Sequence, residues 1–139
     1  MKARLFPLDP DTLVSGQIMP EDLSALAAQG VTMIVNNRPD GEEPGQPAAA
    51  AIEAAARAAG IDYRWVPVAS GFSADQVEAM GAALEAAEGK VLAFCRSGTR
   101  STFLWALARS RAGDDGEELV RKAAAAGYDL SPIRGYLQR

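Results

Sequence analysis

Cys95 is the only cysteine of the chain, and it opens the run Cys95-Arg96-Ser97-Gly98-Thr99-Arg100-Ser101. The apolar stretch Val91-Leu92-Ala93-Phe94 leads straight into it. A helical pattern follows, with Leu104, Leu107 and Ala108 on its inner face. Gly98 lets the backbone curl so that successive N–H groups point into one hollow. The start of a helix adds its positive dipole end to that hollow, and Arg96 and Arg100 add full charges. Such a hollow holds an oxyanion, and it also favours the thiolate over the thiol. A thiolate in an anion cradle is what attack on the phosphorus or sulfur of an oxyanion requires. Cys95 and Arg100 are therefore read as catalytic, and Arg96, Ser97, Gly98, Thr99 and Ser101 as substrate- or anion-binding.

The composition narrows the chemistry further. There is no histidine, which removes Ser-His-Asp and Cys-His catalysis and most zinc and haem sites. A single cysteine leaves no internal disulfide and no thiolate cluster for a metal. No metal or organic cofactor is implied. The net charge of −4 disfavours a nucleic-acid groove. No apolar run approaches the roughly 20 residues of a membrane span, so no membrane partner is expected. The start, Met1-Lys2-Ala3-Arg4-Leu5-Phe6-Pro7, has two basic residues but no long apolar stretch behind them. That pattern predicts no secretory signal and a cytoplasmic location. With 139 residues, 48% hydrophobic and 23% charged, the chain reads as one globular domain over 1–139.

The elements that must position Cys95 are legible as an alternation. Val31 to Val35 is short, β-branched and apolar on both faces, and Ile61 to Val68 and Lys90 to Phe94 are similar short runs, which suits buried parallel strands. Thr12 to Ile18 reads as an additional strand or a pair of short ones. Alanine, about a fifth of the chain, concentrates in blocks between these runs and favours helices. One helix runs from Pro20 to Gly30, and another from about Gln46 to Ala59. A third starts at Ser73, three residues before Gln76 in a capping box. Further helices cover Ser101 to Arg111 and Glu117 to Ala126, and Ser131-Pro132 begins a last short turn. This alternation predicts a three-layer α/β/α domain with a mostly parallel sheet. Ligands bind beyond the carboxyl ends of such strands, so the loops after Val35, Val68 and Phe94 carry the interest.

The Cys95 loop resembles the active loop of single-domain rhodaneses. It is also similar to the cradle of cysteine-dependent phosphatases, with departures. Those phosphatases place five residues between cysteine and arginine; here Arg100 follows after four, and Ser101 stands where their arginine would. Phe94 stands where a histidine usually precedes their cysteine. Val14 to Ile18, Asn36 to Glu42, Phe94 to Ser101 and Ala126 to Leu130 together resemble the beta-lactamase-hydrolase-like, phosphatase-like domain family. The resemblance implies a cysteine-phosphatase-like fold, similar to dual-specificity phosphatases. Members are also described as sulfurtransferases, and some are fused to a metallo-hydrolase-like persulfide dioxygenase domain. It thus implies partnership with a separate persulfide-oxidising enzyme, since a chain without histidine cannot carry that metal site itself.

The loop Asn36-Asn37-Arg38-Pro39-Asp40-Gly41-Glu42-Glu43 belongs to the same sheet edge as Cys95. Pro39 and Gly41 are explained by a turn. Arg38 and Asp40 are read as part of the anion site: Arg38 as a ligand of the anion, and Asp40 or Glu42 as the holder of a loop arginine. The loop Pro67 to Ser73 has no carboxylate before Asp75, so the general acid that a phosphatase uses on its leaving group is missing from its usual place. Asp75 reads as a favourable charge in the first turn of a helix. These features point first to sulfur transfer, with Cys95 taking sulfur from thiosulfate or a low-molecular-weight persulfide and passing it to a thiol acceptor or cyanide. The alternative is a phosphatase that hydrolyses phosphomonoesters through a phosphocysteine. A third reading is an anion-binding module without turnover.

Overall fold

The computed structural model describes residues 1–138. Five strands form one sheet: β1 (Phe6–Asp9), β2 (Thr12–Ser15), β3 (Val31–Asn36), β4 (Asp62–Trp65) and β5 (Lys90–Phe94). Their order is β1-β2-β5-β3-β4, with β1 antiparallel to β2 and every other pairing parallel. β5 is central, and Val91 to Phe94 are all buried, as a strand covered on both faces requires. β4 lies at the edge and buries only Tyr63. It is shorter than the Ile61–Val68 run predicts, because Pro67 has no N–H to continue a ladder. Val66 and Val68 still donate to the carbonyls of Asn36 and Asn37, at 2.8 and 3.0 Å.

The stretch Thr12 to Ile18 supplies one short strand, β2, which ends at Ser15. Its partner β1 comes from residues 6–9, before the stretch that the sequence marks. The two join in a hairpin whose turn is held by Asp9, whose carboxylate accepts the N–H of Asp11 at 2.8 Å.

Successive residues on a strand face opposite sides of the sheet, and this alternation divides the core. Ile34, Leu92 and Phe94 pack with Ile18, Leu23, Leu26 and Ile52 beneath α1 (Leu23–Ala28) and α2 (Ala49–Ala58). Met33, Val35 and Ala93 pack on the other face with Met80, Leu104, Trp105 and Leu119. That face is covered by α3 (Ala74–Ala86), α4 (Thr99–Arg111) and α5 (Gly116–Ala125). A 3-10 turn over Pro20–Asp22 precedes α1, and another over Ser131–Tyr136 follows α5. No described helix is long and apolar enough to cross a membrane.

The Ser73–Gln76 capping box forms as the spacing predicts, with Gln76 N–H on Ser73 Oγ at 3.1 Å and Ser73 N–H on Gln76 Oε1 at 2.8 Å. α4 starts at Thr99, two residues earlier than the helical pattern suggests. Gly98 is its N-cap with φ +91°, and both the N–H and hydroxyl of Thr102 bond to the Gly98 carbonyl. Arg100 and Ser101 therefore belong to the first helical turn.

Candidate active site

Cys95 follows the last residue of β5 and is fully buried. Its N–H reaches the Ser15 carbonyl of β2 at 3.4 Å. Its Sγ accepts the N–H of Gly98 at 3.1 Å, so the curl around the sulfur anticipated from Gly98 is present. Gly16 lets β2 exit against this loop. A Cβ at Gly16 would stand 2.8 Å from the Arg96 carbonyl oxygen, closer than real side chains tolerate. Ser97 and Thr99 are exposed on the rim, with their hydroxyls 3.1 Å apart. Arg96 is on the rim too, 65% exposed and 3.5 Å from Glu43.

Arg100 is held on two sides. Nη1 donates to Glu42 Oε2 at 2.7 Å and to the Val68 carbonyl at 2.6 Å, and Nη2 donates to Glu42 Oε1 at 2.8 Å. A guanidinium has five N–H groups. The other two, Nε–H and the second hydrogen of Nη2, meet no oxygen among the described residues, while the Cys95 sulfur lies near the guanidinium. These two N–H groups share one edge of the plane and form a fork that matches two oxygens of an oxyanion. Glu42 strengthens the proton affinity of Arg100, chiefly through this bidentate bond, and the nearby Cys95 adds to it. In return Arg100 first, and then Arg38, hold the Glu42 carboxyl down to about 2 against the opposing effect of burial.

The second loop departs from expectation. Arg38 is 1% exposed, and all three of its nitrogens are engaged. Nε meets Glu42, Nη1 meets Gln17 Oε1 and Nη2 meets Glu43, each at 2.9 Å. It is thus a buried anchor for the carboxylates instead of a ligand for an incoming anion. Asp40 is also spent away from the hollow, where its carboxylate accepts the N–H of Ala49 at the start of α2, at 2.8 Å. Of the two acids considered as holders of an arginine, Glu42 does so. Ser101, expected in the anion ring, is fully buried and turns its hydroxyl to Asn37 Oδ1 at 2.8 Å. It ties the first turn of α4 to the β3 loop.

Three residues of the site carried no role in the sequence reading. Gln17 and Asn37 fall inside the quoted segments, but polar residues in loops have no distinguishing pattern. Tyr128 lies in the Ala126–Leu130 segment, and its hydroxyl donates to the Ser97 carbonyl at 3.0 Å. The loop after β4 contributes a backbone carbonyl, that of Val68, and Asp75 sits in the first turn of α3 as its charge suits. An apolar groove of about 590 Å³, lined by Phe72, Val77, Phe103 and Leu107 among others, lies between α3 and α4. Neither Cys95 nor Arg100 lines it.

A mostly parallel sheet whose central strand ends in a cysteine loop at a helix start defines the cysteine-phosphatase fold, of the dual-specificity type. Within that class, the chain belongs to the family of the phosphatase-like domain of beta-lactamase hydrolase-like proteins, whose pattern matches residues 5–112. It is 36% identical over 138 residues to the beta-lactamase hydrolase-like protein of Xylella fastidiosa, covering 98% of this chain and 32% of that protein. The chain thus spans about a third of the length of this curated relative. A crystal structure of a candidate phosphatase from Neisseria meningitidis superposes with a TM-score of 0.80 at 35% identity, covering 94% of this chain and 93% of the other. A candidate phosphatase from Shewanella putrefaciens gives 0.72 at 25% identity, covering 95% and 82%.

Proposed function

We propose that this chain is a cysteine-dependent phosphatase acting on phosphomonoesters. The observation that carries the reading is the Arg100 guanidinium, clamped by Glu42 and Val68 close to Cys95, with Nε–H and one Nη2 hydrogen meeting no oxygen among the described residues. Arg100 and the loop amides bind the phosphoryl oxygens and stabilise charge on them in the transition state. The Cys95 thiolate attacks phosphorus, so that the S–P bond forms as the P–O bond to the alcohol breaks. Water then attacks the phosphocysteine, releasing inorganic phosphate and restoring the sulfur. Glu42 is ionised and committed to Arg100, and Asp40 is committed to α2. Asp75 lies in the first turn of α3, where its charge suits the helix start, and we assign water as the proton source for the leaving oxygen, which favours alcohols that leave readily as anions, phenols before alkanols.

The sequence points first to sulfur transfer, because the loop before Asp75 lacks a general acid and Arg100 follows Cys95 after only four residues. Arg100 compensates through its long side chain and the Glu42 clamp, while the family and the phosphatase neighbours favour the hydrolase. The test runs hydrolysis of an aryl phosphate beside thiosulfate:cyanide sulfur transfer on one preparation. Phosphate release should dominate, and Cys95→Ser should lower it by about a thousandfold or more while the protein stays folded, because no base is present to activate a hydroxyl. Thiocyanate formation faster than phosphate release would return sulfur transfer to first place.

A further inference from the structure

We infer that Tyr128 is a positioning residue that locks the Ser97–Gly98 peptide and thereby aims its N–H at the Cys95 sulfur. The inference rests on Cys95 being the nucleophile but not on which reaction it performs. In a trans peptide the carbonyl and the N–H point to opposite sides of one rigid plane. At this plane the carbonyl of Ser97 accepts the Tyr128 hydroxyl at 3.0 Å, and the N–H of Gly98 donates to Sγ at 3.1 Å. Holding one end therefore fixes the other.

The lock is needed because of the residue beside it. Gly98 has φ +91°, and a glycine rotates between the right- and left-handed regions at little cost. Without a restraint on the carbonyl, the plane can turn over and present oxygen to the sulfur instead of N–H. That would remove a donor and place a negative dipole against a thiolate. The hydroxyl sits so close to Gly98 that a Cβ there would overlap it. The ring is itself held firmly. It meets Phe6 edge-on, with centroids 6.1 Å apart, and the Tyr128 N–H bonds to the Ala123 carbonyl at 2.9 Å. Burial, and after it the charge of Cys95, raise the Tyr128 phenol above its ordinary range. The hydroxyl therefore stays protonated and able to donate wherever the enzyme works. Tyr128 lies after α5 in the Ala126–Leu130 segment, beyond the residues 5–112 that the family pattern matches, so this restraint comes from the C-terminal part of the fold.

The test compares Tyr128→Phe, which keeps the ring, with Phe6→Leu, which loosens the ring and leaves the hydroxyl. Tyr128→Phe should label with iodoacetamide at neutral pH about fivefold to tenfold more slowly than the parent, since a bond to a charged group is lost. Its kcat on an aryl phosphate should fall about tenfold with KM changed less than about threefold, because the lost donor serves the sulfur more than the bound phosphate. The Gly98 amide should exchange its proton faster in the same variant. Phe6→Leu should slow labelling clearly less than Tyr128→Phe, because the loosened ring still carries the hydroxyl that reaches the Ser97 carbonyl. Slowed labelling without any phosphatase activity would sink the proposed reaction and leave the lock standing. Labelling and Gly98 exchange at parental rates in Tyr128→Phe, or equal slowing in both variants, would overturn the lock.

Discussion

Glu42 joins two guanidiniums, Arg38 in the core and Arg100 at the sulfur, with a side chain only 26% exposed. Its role follows from charge and reach: one carboxylate satisfies both nitrogens of the Arg100 end and the Nε of Arg38. Glu42→Gln keeps the shape but can accept with only one oxygen, so Arg100 loses one of its two charge-assisted bonds. We expect kcat/KM on an aryl phosphate to fall about tenfold to a hundredfold, the equivalent of one such bond. The same residue sets an acid limb of stability. Its folded-state pKa, about 2, lies below the ordinary 4.5, so its contribution is present above about 4.5 and is lost as pH falls towards about 2. Thermal melts between those values should show a steeper decline for the parent than for Glu42→Gln. Parallel curves would show that the pairing contributes nothing to folding.

The elements matter through where they stop. β2 ends at Ser15 so that Gly16 can slide under the Arg96 carbonyl, and α4 starts at Thr99 so that Arg100 emerges beside the sulfur. Gly16→Ala tests the first of these contacts. Its Cβ must push the cradle backbone, since the neighbour is a carbonyl and not a flexible side chain. A stability loss of about 1–3 kcal/mol is expected from such overpacking. Activity should fall further than that loss explains, because a small displacement of donors weakens a preorganised site. Denaturant unfolding beside kinetics on the same variant measures both. A variant that loses stability but keeps full activity would show that the Gly16 contact is structural only.

Across the whole molecule, one sheet serves two cores. Met33 and Ile34 are neighbours on β3, both fully buried, yet they face opposite layers. Met33→Ala and Ile34→Ala should each cost about 2–5 kcal/mol. Both should melt in one transition, because the strand between the layers is common to them. Calorimetry showing a second transition in either variant would mean that the layers unfold separately. The Cys95 loop is met by loops from along the chain, with Glu42 and Glu43 after β3, Val68 after β4 and Tyr128 after α5, while the curated Xylella relative continues over about three times this length.

The turn around the sulfur was readable without any structure, since a lone cysteine between an apolar run and a helical one, with Gly98 three residues on, predicts the curl that brings the Gly98 N–H to Sγ. Parallel strands and their helices followed from period and capping, as Ser73 and Gln76 illustrate. These are short-range properties, decided by the few residues that make them. Strand order was not readable, because hydrophobic runs on both faces say only that a strand is buried and not which strands flank it. That order brings Gly16, Asn37 and Cys95 to one edge, and with it came the roles that spacing misjudged. Arg38 turned inward because two carboxylates and Gln17 were there to satisfy it, and Ser101 because Asn37 was. Tyr128 reached Ser97 from 31 residues away. A long polar side chain goes where its partners are, and only the tertiary fold decides who those partners are.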